Sequence, residues 1–397
     1  MTREHKLVEK GWDNPPLSNI YLYNGGIIIM ENVIIGLGNA GTQIVRLAAQ
    51  QRAFVGDVFY SIDSVTSGIN MDNVGTVKNI PILVSEEKCG SGRNRKKGRA
   101  MYEYQKDEGL FDDLYEACDE RKNPIILVSS SSGGTGSGSI VGLAKDLIEQ
   151  EVPVIPFIIE PALDDPDSYH LNTSDLLIEL SKLVDVDGEP GIHSYCVFRN
   201  PSNSDYANIN RAIVRAIEVV LGYHYDETDA DSIDESDLEQ LHKTDGRFIA
   251  VYEEANDIPT LKKNITRAVM SGYQPAWSAQ DAANISFKVG YSLTSTFAGV
   301  DIDEVFSDIT EHLGELREKF KNIKNATNSD KCYATAIIAG LPTVQVKEVS
   351  GNYTTAGGIA DGIKQSKRSQ ESEAAAKTPK PTSKKKKKSI LSDYGLD

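Results

Sequence analysis

Short apolar segments alternate with amphipathic segments along most of the chain after Glu31. Two of the apolar segments, Ile125–Ser129 and Val152–Ile159, are apolar on both faces, which is typical of strands in the middle of a parallel sheet. Strands of this kind that alternate with helices predict an α/β fold in which helices cover both faces of the sheet.

In the first half of the chain the pattern predicts six strands, with five helices between them. The strands are Asn32–Gly36, Asp57–Asp63, Ile80–Val84, Ile125–Ser129, Val152–Ile159 and Ser194–Arg199. The helices are Gly41–Ala53, Lys97–Asp107, Leu110–Glu120, Ser139–Glu149 and Leu171–Val184.

The second half of the chain begins with a long helix, Tyr206–Tyr223, whose apolar residues recur at helical spacing. An acidic stretch follows, and after it the pattern predicts a second, smaller α/β domain. Its elements are a strand Arg247–Glu253, a helix Ile258–Met270, a strand Ile285–Leu293, a helix Ile302–Lys321 and a strand Cys332–Gly340.

The two ends of the chain differ from the body. Residues 1–29 show neither a helical nor a strand period, and the codons of Asn24-Gly25-Gly26 can contain a ribosome-binding sequence upstream of Met30. One hypothesis is that translation starts at Met30; an ordinary N-terminal extension is the alternative. After Ser350 the chain is rich in Gly, Ser, Thr, Ala, Lys and Pro, a composition that predicts disorder.

The charge of the 397 residues is unevenly distributed. Of the formal net charge of −16, residues 350–397 carry ten Lys or Arg against five Asp or Glu, which leaves −21 for the body. An acidic body does not suit a protein that coats nucleic acid with its whole surface. No apolar run approaches the roughly 20 residues of a membrane-spanning helix. The four cysteines form no CxxC pair, so a reduced, cytosolic compartment is expected.

The first predicted strand ends in a glycine-rich loop, Gly36–Gly41, with the sequence GLGNAG. A GxGxxG loop between a strand and a helix lets the backbone approach phosphate oxygens at the helix N-terminus. Asp63 ends the second strand, where a dinucleotide-binding fold places the acid that binds ribose. This loop by itself indicates an NAD site, and a tight turn without a ligand is the alternative.

A second glycine-rich loop, Ser129–Ser139, also joins an apolar strand to a helix. Its glycines and hydroxyl side chains can form a backbone nest around a di- or triphosphate. It is not a Walker A loop, because no Lys follows the glycines. Two such loops on neighbouring strand ends suit a phosphate chain that is held from both sides, which the NAD interpretation does not explain.

The segment Ser132–Gly138 reads SGGTGSG and resembles the GGGTG(T/S)G signature of the tubulin/FtsZ superfamily of cytoskeletal GTPases, with Ser132 in place of the first glycine. The likeness extends in motif order over roughly residues 31–340. It implies a Rossmann-like parallel-sheet GTPase domain, a long central helix, a smaller C-terminal α/β domain and a disordered tail. The corresponding boundaries are 1–30 for the extension, 31–205 for the nucleotide-binding domain, 206–245 for the central helix and catalytic loop, 246–349 for the C-terminal domain and 350–397 for the basic tail.

The resemblance implies a set of residues that bind GTP or GDP, with Mg²⁺ held through the phosphates and no metal ligand from the protein. They are Gly38, Asn39, Ala40, Gln43, Asp63, Gly90, Ser91, Gly92, Arg93, Asn94, Gly133, Gly134, Thr135, Gly136, Ser137, Glu160 and Asn200. In the tubulin-like branch a Tyr that begins the central helix stacks on guanine, and an Asn four residues later bonds its edge. Tyr206 and Asn210 match those positions on one helix face. A surface and capping pair is the alternative.

Superfamily members carry an NxDxxD or NxDxxE motif after the central helix, and its acids polarise water at the nucleotide of the next subunit. Here Ser232–Leu238 resembles it, with Ser232 in place of the Asn and with Asp234 and Asp237 as the catalytic acids. The alternatives are ordinary solvated acids, or a register in which Asp229 or Asp231 takes part. Catalysis between subunits implies head-to-tail contacts, which propagate as an open filament.

The tail contains five consecutive lysines, and such runs often contact anionic partners. The expected partner-binding residues are Lys384, Lys385, Lys386, Lys387 and Lys388. The candidate partners are DNA, an acidic adaptor and the acidic body of another subunit. The alternative is a tail that only keeps the protein in solution. The tail is similar to those of the plasmid- and phage-encoded TubZ branch, which moves DNA through a DNA-bound helix-turn-helix adaptor.

The main hypothesis is therefore a GTP-hydrolysing protein that assembles into filaments, and three other functions remain open. They are an FtsZ-like cell-division GTPase, an NAD-dependent oxidoreductase that uses GLGNAG, and a nucleotide-binding regulator that does not hydrolyse.

Overall fold

A ten-stranded sheet forms the centre of the described part of the chain. The computed structural model describes residues 20–23, 26–29, 32–64, 77–82, 90–119, 123–183, 192–203, 205–225, 232–274, 287–297, 299–325 and 330–342. Met30 and the alternative acids Asp229 and Asp231 lie outside the described residues. The five lysines of the expected partner-binding run also lie outside them, so their role stays a prediction: Lys384, Lys385, Lys386, Lys387 and Lys388.

Strands and helices alternate as the α/β prediction requires. The strands are β1 Ile20–Tyr23, β2 Gly26–Ile29, β3 Val33–Leu37, β4 Val58–Asp63, β5 Val77–Pro81, β6 Ile125–Ser130, β7 Val154–Glu160, β8 Ser194–Arg199, β9 Gly246–Ala255, β10 Phe287–Ser295, β11 Leu316–Asn325 and β12 Cys332–Leu341. The helices are α1 Gly38–Ala49, α2 Arg95–Asp107, α3 Asp112–Cys118, α4 Thr135–Glu149, α5 Asp167–Ser181, α6 Tyr206–Val220, α7 Glu235–His242, α8 Ile258–Ser271, α9 Ile302–Val305 and α10 Ser307–Leu313. A short 3₁₀ turn, Arg52–Phe54, follows α1.

The strand order in the sheet is β11-β10-β12-β9-β8-β7-β6-β3-β4-β5. All neighbouring pairs are parallel except those of β12, which is antiparallel to both β10 and β9. From β3 the chain proceeds outward to β4 and β5 and then returns to β6 on the other side. A topological switch point therefore lies between β3 and β6, where open α/β sheets place their ligands.

Helices cover both faces of the sheet around β3–β8. On one face α6 packs against α1 and β9, with fully buried residues such as Ile44 and Ile213. On the other face α2 to α5 pack over residues such as Leu143 and Leu176. A third core, which includes Leu261, lies under α8 to α10. In the described residues no helix is long and apolar enough to cross a membrane.

Residues 302–321 do not form the single helix that the sequence predicts. After α10, Gly314 adopts a left-handed conformation with φ of 76° and ends the helix. The chain continues as β11, which pairs parallel with β10 at the edge of the sheet. The prediction was wrong because Leu316, Phe320 and Ile323 recur at helical spacing, while pairing with β10 decides the conformation.

Several other elements differ from the predicted bounds by a few residues, and two differences change the interpretation of the sequence. Residues within the N-terminal extension, which shows no strand period, form the antiparallel pair β1 and β2. The helix after the second glycine-rich loop starts at Thr135, and not at Ser139, so half of the signature motif is helical. Thr135 and Gly136 therefore belong to the N-terminal turn of α4.

A single buried side chain, Gln274, bridges the two halves of the sheet. The halves meet where β8 pairs with β9, but this pairing lasts only from Ser194 to Cys196. Beyond it Gln274 fills the gap: Nε2 donates to the Ala250 carbonyl at 2.7 Å, and Oε1 accepts from the Ala250 N–H at 3.1 Å. Oε1 also accepts from the Cys196 thiol at 3.2 Å. The amide thus replaces missing ladder hydrogen bonds.

We expect Gln274→Leu to reduce the free energy of unfolding by ~2–4 kcal/mol, because it leaves the buried N–H and C=O of Ala250 without partners. Urea denaturation measures this change. The matched control is Gln150→Leu on the exposed end of α4, which should change stability by less than about 0.5 kcal/mol. Equal, small effects of both substitutions would contradict the bridging role.

Candidate functional site

A cavity of about 590 Å³ lies at the carboxyl ends of β3, β4 and β6, at the topological switch point of the sheet. Its walls come from the loops that follow these strands and from the loop before α2. The lining residues are Leu37, Gly38, Asn39, Ala40, Thr42, Arg46, Asp63, Ser64, Gly90, Ser91, Gly92, Arg93, Ser130, Ser132, Gly133, Gly134, Thr135 and Gly136.

The glycines of the two predicted loops allow backbone to pack directly against backbone. Gly38 has φ of 68°, and a Cβ there would come within 2.9 Å of the Gly136 nitrogen. A Cβ at Gly136 would overlap the Leu37 carbonyl oxygen, and one at Gly41 would overlap that of Val128. The ends of β3 and β6 therefore approach each other at a distance that only glycine permits.

The loop before α2, Gly90–Asn94, is called the third loop, and Ser132–Gly138 is called the signature loop. The third loop and the first turn of α2 pack on the signature loop in the same way. A Cβ at Gly134 would lie 2.7 Å from the Asn94 nitrogen, and a Cβ at Gly98 would overlap the Gly134 carbonyl oxygen. Gly133 differs, because a Cβ there meets nothing within 4 Å and the residue lines the cavity. Gly133 thus leaves the cavity space open and is not required for packing.

Hydroxyl groups line the floor of the cavity and bond to one another. The Thr135 hydroxyl lies 2.5 Å from the Ser64 hydroxyl and 3.0 Å from the Ser91 hydroxyl. The backbone N–H of Ser64 donates to the Asp63 carboxylate at 2.7 Å. These contacts connect the end of β4 and the start of α4 with the third loop.

The cavity has the features of an anion site. The first turns of α1 and α4, at Gly38 and Thr135, both line it, so free backbone N–H groups and two positive helix-dipole ends face its interior. Arg46 on α1 and Arg93 in the third loop add two positive side chains to the walls. Asp63 is the acidic residue among those that line it.

A partly buried ion pair joins α2 to α5, and Arg95 also contacts α4. The Arg95 guanidinium donates to both Glu179 carboxylate oxygens at 2.8 and 2.6 Å, and its Nε donates to the Ser137 carbonyl at 3.0 Å. Arg99 donates to the same carboxylate. Burial by itself raises the pKa of Glu179, but the hydrogen bonds and charges of Arg95 and Arg99 outweigh it and hold the pKa at about 2.

Twelve of the residues implied by the resemblance line the cavity, and seven do not. The seven are Gln43, Asn94, Ser137, Glu160, Asn200, Tyr206 and Asn210. Asn94 caps α2, and the buried Ser137 hydroxyl donates to the Gly133 carbonyl. The Glu160 carboxylate accepts two bonds from Arg199 at 3.1 and 2.9 Å. Asn94 and Ser137 therefore stabilise the backbone next to the cavity, whereas Glu160 forms an ion pair at the ends of β7 and β8.

Tyr206 and Asn210 lie on α6, which packs beside α1. Tyr206 is 47% exposed at the first position of the helix, and Asn210 one turn later is half-buried. The Gln43 amide, on the exposed side of α1, donates to the Asn39 side chain at 3.3 Å. An exposed aromatic ring at a helix start close to the α1 face is available to stack on a planar ligand.

Six lining residues are not among the individual residues that the resemblance implies: Leu37, Thr42, Arg46, Ser64, Ser130 and Ser132. Leu37 lies in the first predicted loop, Ser130 and Ser132 lie in the second, and Ser64 directly follows Asp63. Arg46 follows Thr42 by four positions, so helical spacing from the first loop could have identified it. The Ser130 hydroxyl lies 3.0 Å from that of Ser132.

Asp234 and Asp237 begin α7 as a reciprocal capping box. The Asp234 carboxylate accepts from the Asp237 N–H at 2.9 Å and from the Ser236 hydroxyl at 2.8 Å. The Asp237 hydrogen bond is the main cause of a lowered pKa for Asp234. Burial, aided by the charges of Asp234 and Glu318, raises the pKa of Asp237.

The acid pair and the cavity lie at opposite edges of the sheet. The cavity is at the carboxyl edge, whereas α7 leads into the start of β9, and the His242 carbonyl accepts from the Ser194 hydroxyl at the start of β8 at 2.8 Å. A strand of six residues spans about 20 Å. Asp234 and Asp237 therefore cannot reach the cavity of their own chain.

Within the described residues no group of three or more His, Cys, Asp or Glu side chains could hold a metal ion.

No protein-family model and no characterised protein sequence matches the chain. The structure of the chain does match solved structures. The GTPγS-bound protofilament of CetZ2 from Haloferax volcanii is 19% identical, with a TM-score of 0.64 over 84% of this chain and 100% of that one. FtsZ of M. jannaschii is 12% identical, with a TM-score of 0.62 over 81% of this chain and 91% of that one. The GTPγS-form protofilament of TubZ from Bacillus thuringiensis serovar israelensis is 16% identical, with a TM-score of 0.61 over 88% and 95%. The chain has the tubulin/FtsZ fold, as its motifs predict.

The depressed pKa of Glu179 predicts a specific loss of stability in acid. An unfolded Glu titrates near pH ~4.3, so the ion pairs stabilise the fold fully above about pH 5 and progressively less as the pH falls toward 2. We expect Glu179→Gln to reduce the free energy of unfolding by ~1–3 kcal/mol at pH 7 and by about half as much at pH 3.

Urea denaturation between pH 7 and 3 measures this difference. Glu116→Gln, at an exposed position of α3, is the matched control and should follow the wild-type curve. A difference between wild type and Glu179→Gln that stays constant over this pH range would contradict the assigned pKa.

Proposed function

We propose that the protein binds and hydrolyses GTP in the cavity and assembles head to tail into filaments. The observation that carries this proposal is the anion site at the switch point, built from two helix N-termini, bonded hydroxyls and two arginines. Its volume of about 590 Å³ suits the phosphate chain and sugar of a nucleotide. The neighbours CetZ2 and TubZ, with bound GTPγS in protofilaments, support the same assignment.

The layout of the fold orients the nucleotide. Tyr206 and Asn210 lie on the α1/α6 face of the sheet, so the base binds there and Asn210 pairs with the guanine edge. The phosphates cross the strand ends over Gly133–Gly136, toward the side of α2, α4 and α5. The terminal phosphate of GTP then lies at the third loop, Gly90–Asn94. Mg²⁺, bound through the phosphates, would neutralise charge that develops on them.

The position of the acids argues for hydrolysis between subunits. Asp234 and Asp237 lie at the amino edge, and stacking one chain on another in the same orientation brings this edge to the neighbour's cavity. The raised pKa of Asp237 makes it the better proton acceptor for an attacking water, and the ionised Asp234 orients that water. Polymerisation and hydrolysis would then be one mechanism.

Plasmid or phage DNA segregation of the TubZ type is the cellular role we propose for this cytoplasmic filament. The basic run Lys384–Lys388 supports this role, because it suits DNA phosphates or a DNA-bound helix-turn-helix adaptor. An FtsZ-like division role is the alternative within the same fold. An oxidoreductase that binds NAD through GLGNAG would explain the part of the cavity wall that α1 forms. It would not explain the parts that the third loop and the signature loop form.

We expect Asp234→Asn to reduce GTP-dependent phosphate release by about 100-fold, because the substitution removes the charge that orients water. Asn is as good an N-cap as Asp, so α7 and the binding of GTP should be preserved. Phosphate release, light scattering and nucleotide binding are measured together. Glu235→Gln, one residue away and exposed, is the control and should match wild type.

Each readout tests one part of the proposal. Wild-type phosphate release by Asp234→Asn would refute the acid assignment alone. A wild-type protein that scatters no more light with GTP than without it would refute filament assembly. Binding of GTP without phosphate release would favour the non-hydrolysing regulator.

Removal of Lys384–Asp397 should leave GTP-dependent assembly intact and abolish co-sedimentation of filaments with DNA or a DNA-bound adaptor. The expected physical cause is the loss of phosphate contacts, so binding by the full chain should weaken steeply with salt. A variant with the five lysines replaced by Gln separates charge from the apolar end of the tail. Loss of assembly in the deletion would contradict this division of roles.

A further inference from the structure

Arg93 in the third loop has a strained backbone. Its φ of 62° lies in the left-handed region, where a Cβ crowds the backbone of a residue other than glycine. In the described chain, Glu151 is the other non-glycine residue with positive φ, and it lies in the turn after α4, at the opposite edge of the sheet. Strain of this kind persists where neighbouring groups hold it, and at Arg93 it lies in the cavity wall.

Two side chains of α5 hold Arg93. Asn172 Nδ2 donates to the Arg93 carbonyl at 3.1 Å and to the Ser132 carbonyl at 3.1 Å, so it ties the third loop to the signature loop. The Arg93 guanidinium stacks on the Tyr169 ring at 4.2 Å from the centroid. Tyr169 and Asn172 are three positions apart and share one face of α5.

The same face of α5 continues to Glu179, which holds Arg95 and Arg99. One helix face thus fixes three arginines of the segment 93–99. Arg95 and Arg99 are engaged by the Glu179 carboxylate, whereas Arg93 is exposed and has no ion pair with a described residue. Its guanidinium is stacked and oriented, but its N–H groups are available to an anion in the cavity.

We propose that Tyr169 and Asn172 are positioning residues that preorganise Arg93 for the terminal phosphate of a nucleoside triphosphate, so that α5 sets the preference for triphosphate over diphosphate. This inference rests on the proposed nucleotide site. Tyr169 limits the rotation of the guanidinium, and Asn172 fixes the backbone that carries it. Each residue therefore acts through Arg93 and makes no contact with the ligand itself.

The test measures dissociation constants for GTPγS and for GDP by equilibrium titration with the full chain. Tyr169→Leu should weaken GTPγS binding about threefold to tenfold while GDP binding stays nearly constant. Tyr169→Phe keeps the ring and should restore the wild-type ratio. Asn172→Ala should change the ratio in the same direction as Tyr169→Leu.

A double-mutant cycle shows whether Tyr169 acts through Arg93. The exposed Arg93 tolerates substitution, and in an Arg93→Ala background Tyr169→Leu should have no further effect on GTPγS binding. Equal ratios in wild type, Tyr169→Leu and Asn172→Ala would overturn the inference, as would additive effects in the cycle. A wild-type protein that binds neither nucleotide would instead refute the proposed function.

Discussion

The close approach of backbone to backbone at the switch point is the constraint on which the rest of the site depends. The start of α1 meets the start of α4 through Gly38 and Gly136, and the first turn of α2 meets the signature loop through Gly98 and Gly134. Any Cβ at these positions would force the loops apart. Because the loops are this close, two helix N-termini and two arginines face one cavity. Gly133 alone among the glycines of the signature loop leaves free space for a ligand.

The second constraint is the common direction of the parallel strands. Parallel strands direct all their carboxyl ends to one edge, which holds the cavity, and the connection through α7 directs the capping box of Asp234 and Asp237 to the other edge. In the proposed mechanism the cavity and the two acids are the two halves of one reaction site, which a single chain cannot join. The proposed head-to-tail stacking would bring them together, and Gln274 links the two halves of the sheet within each chain.

The local sequence pattern was sufficient to predict most strands, most helices and the position of the cavity, because apolar runs and glycine-rich loops follow directly from what the backbone requires. It failed at β11, where Leu316 and Phe320 fit a helix and only pairing with β10 decides the structure. The α5 residues Tyr169 and Asn172 gave no usable signal either. Their contacts join segments that are distant in sequence, and such contacts depend on the packed fold.

Mixing two complementary variants tests most directly whether the site is shared between chains. Asp234→Asn keeps a cavity but lacks the orienting charge. Gly133→Leu keeps the acids and adds a side chain to the cavity lining at a position where a Cβ meets nothing within 4 Å. Each variant alone should release almost no phosphate from GTP. An equal mixture should recover activity at about one interface in four, since only one of four random pairings joins an intact cavity to intact acids. A mixture no more active than the sum of its parts would contradict catalysis between subunits.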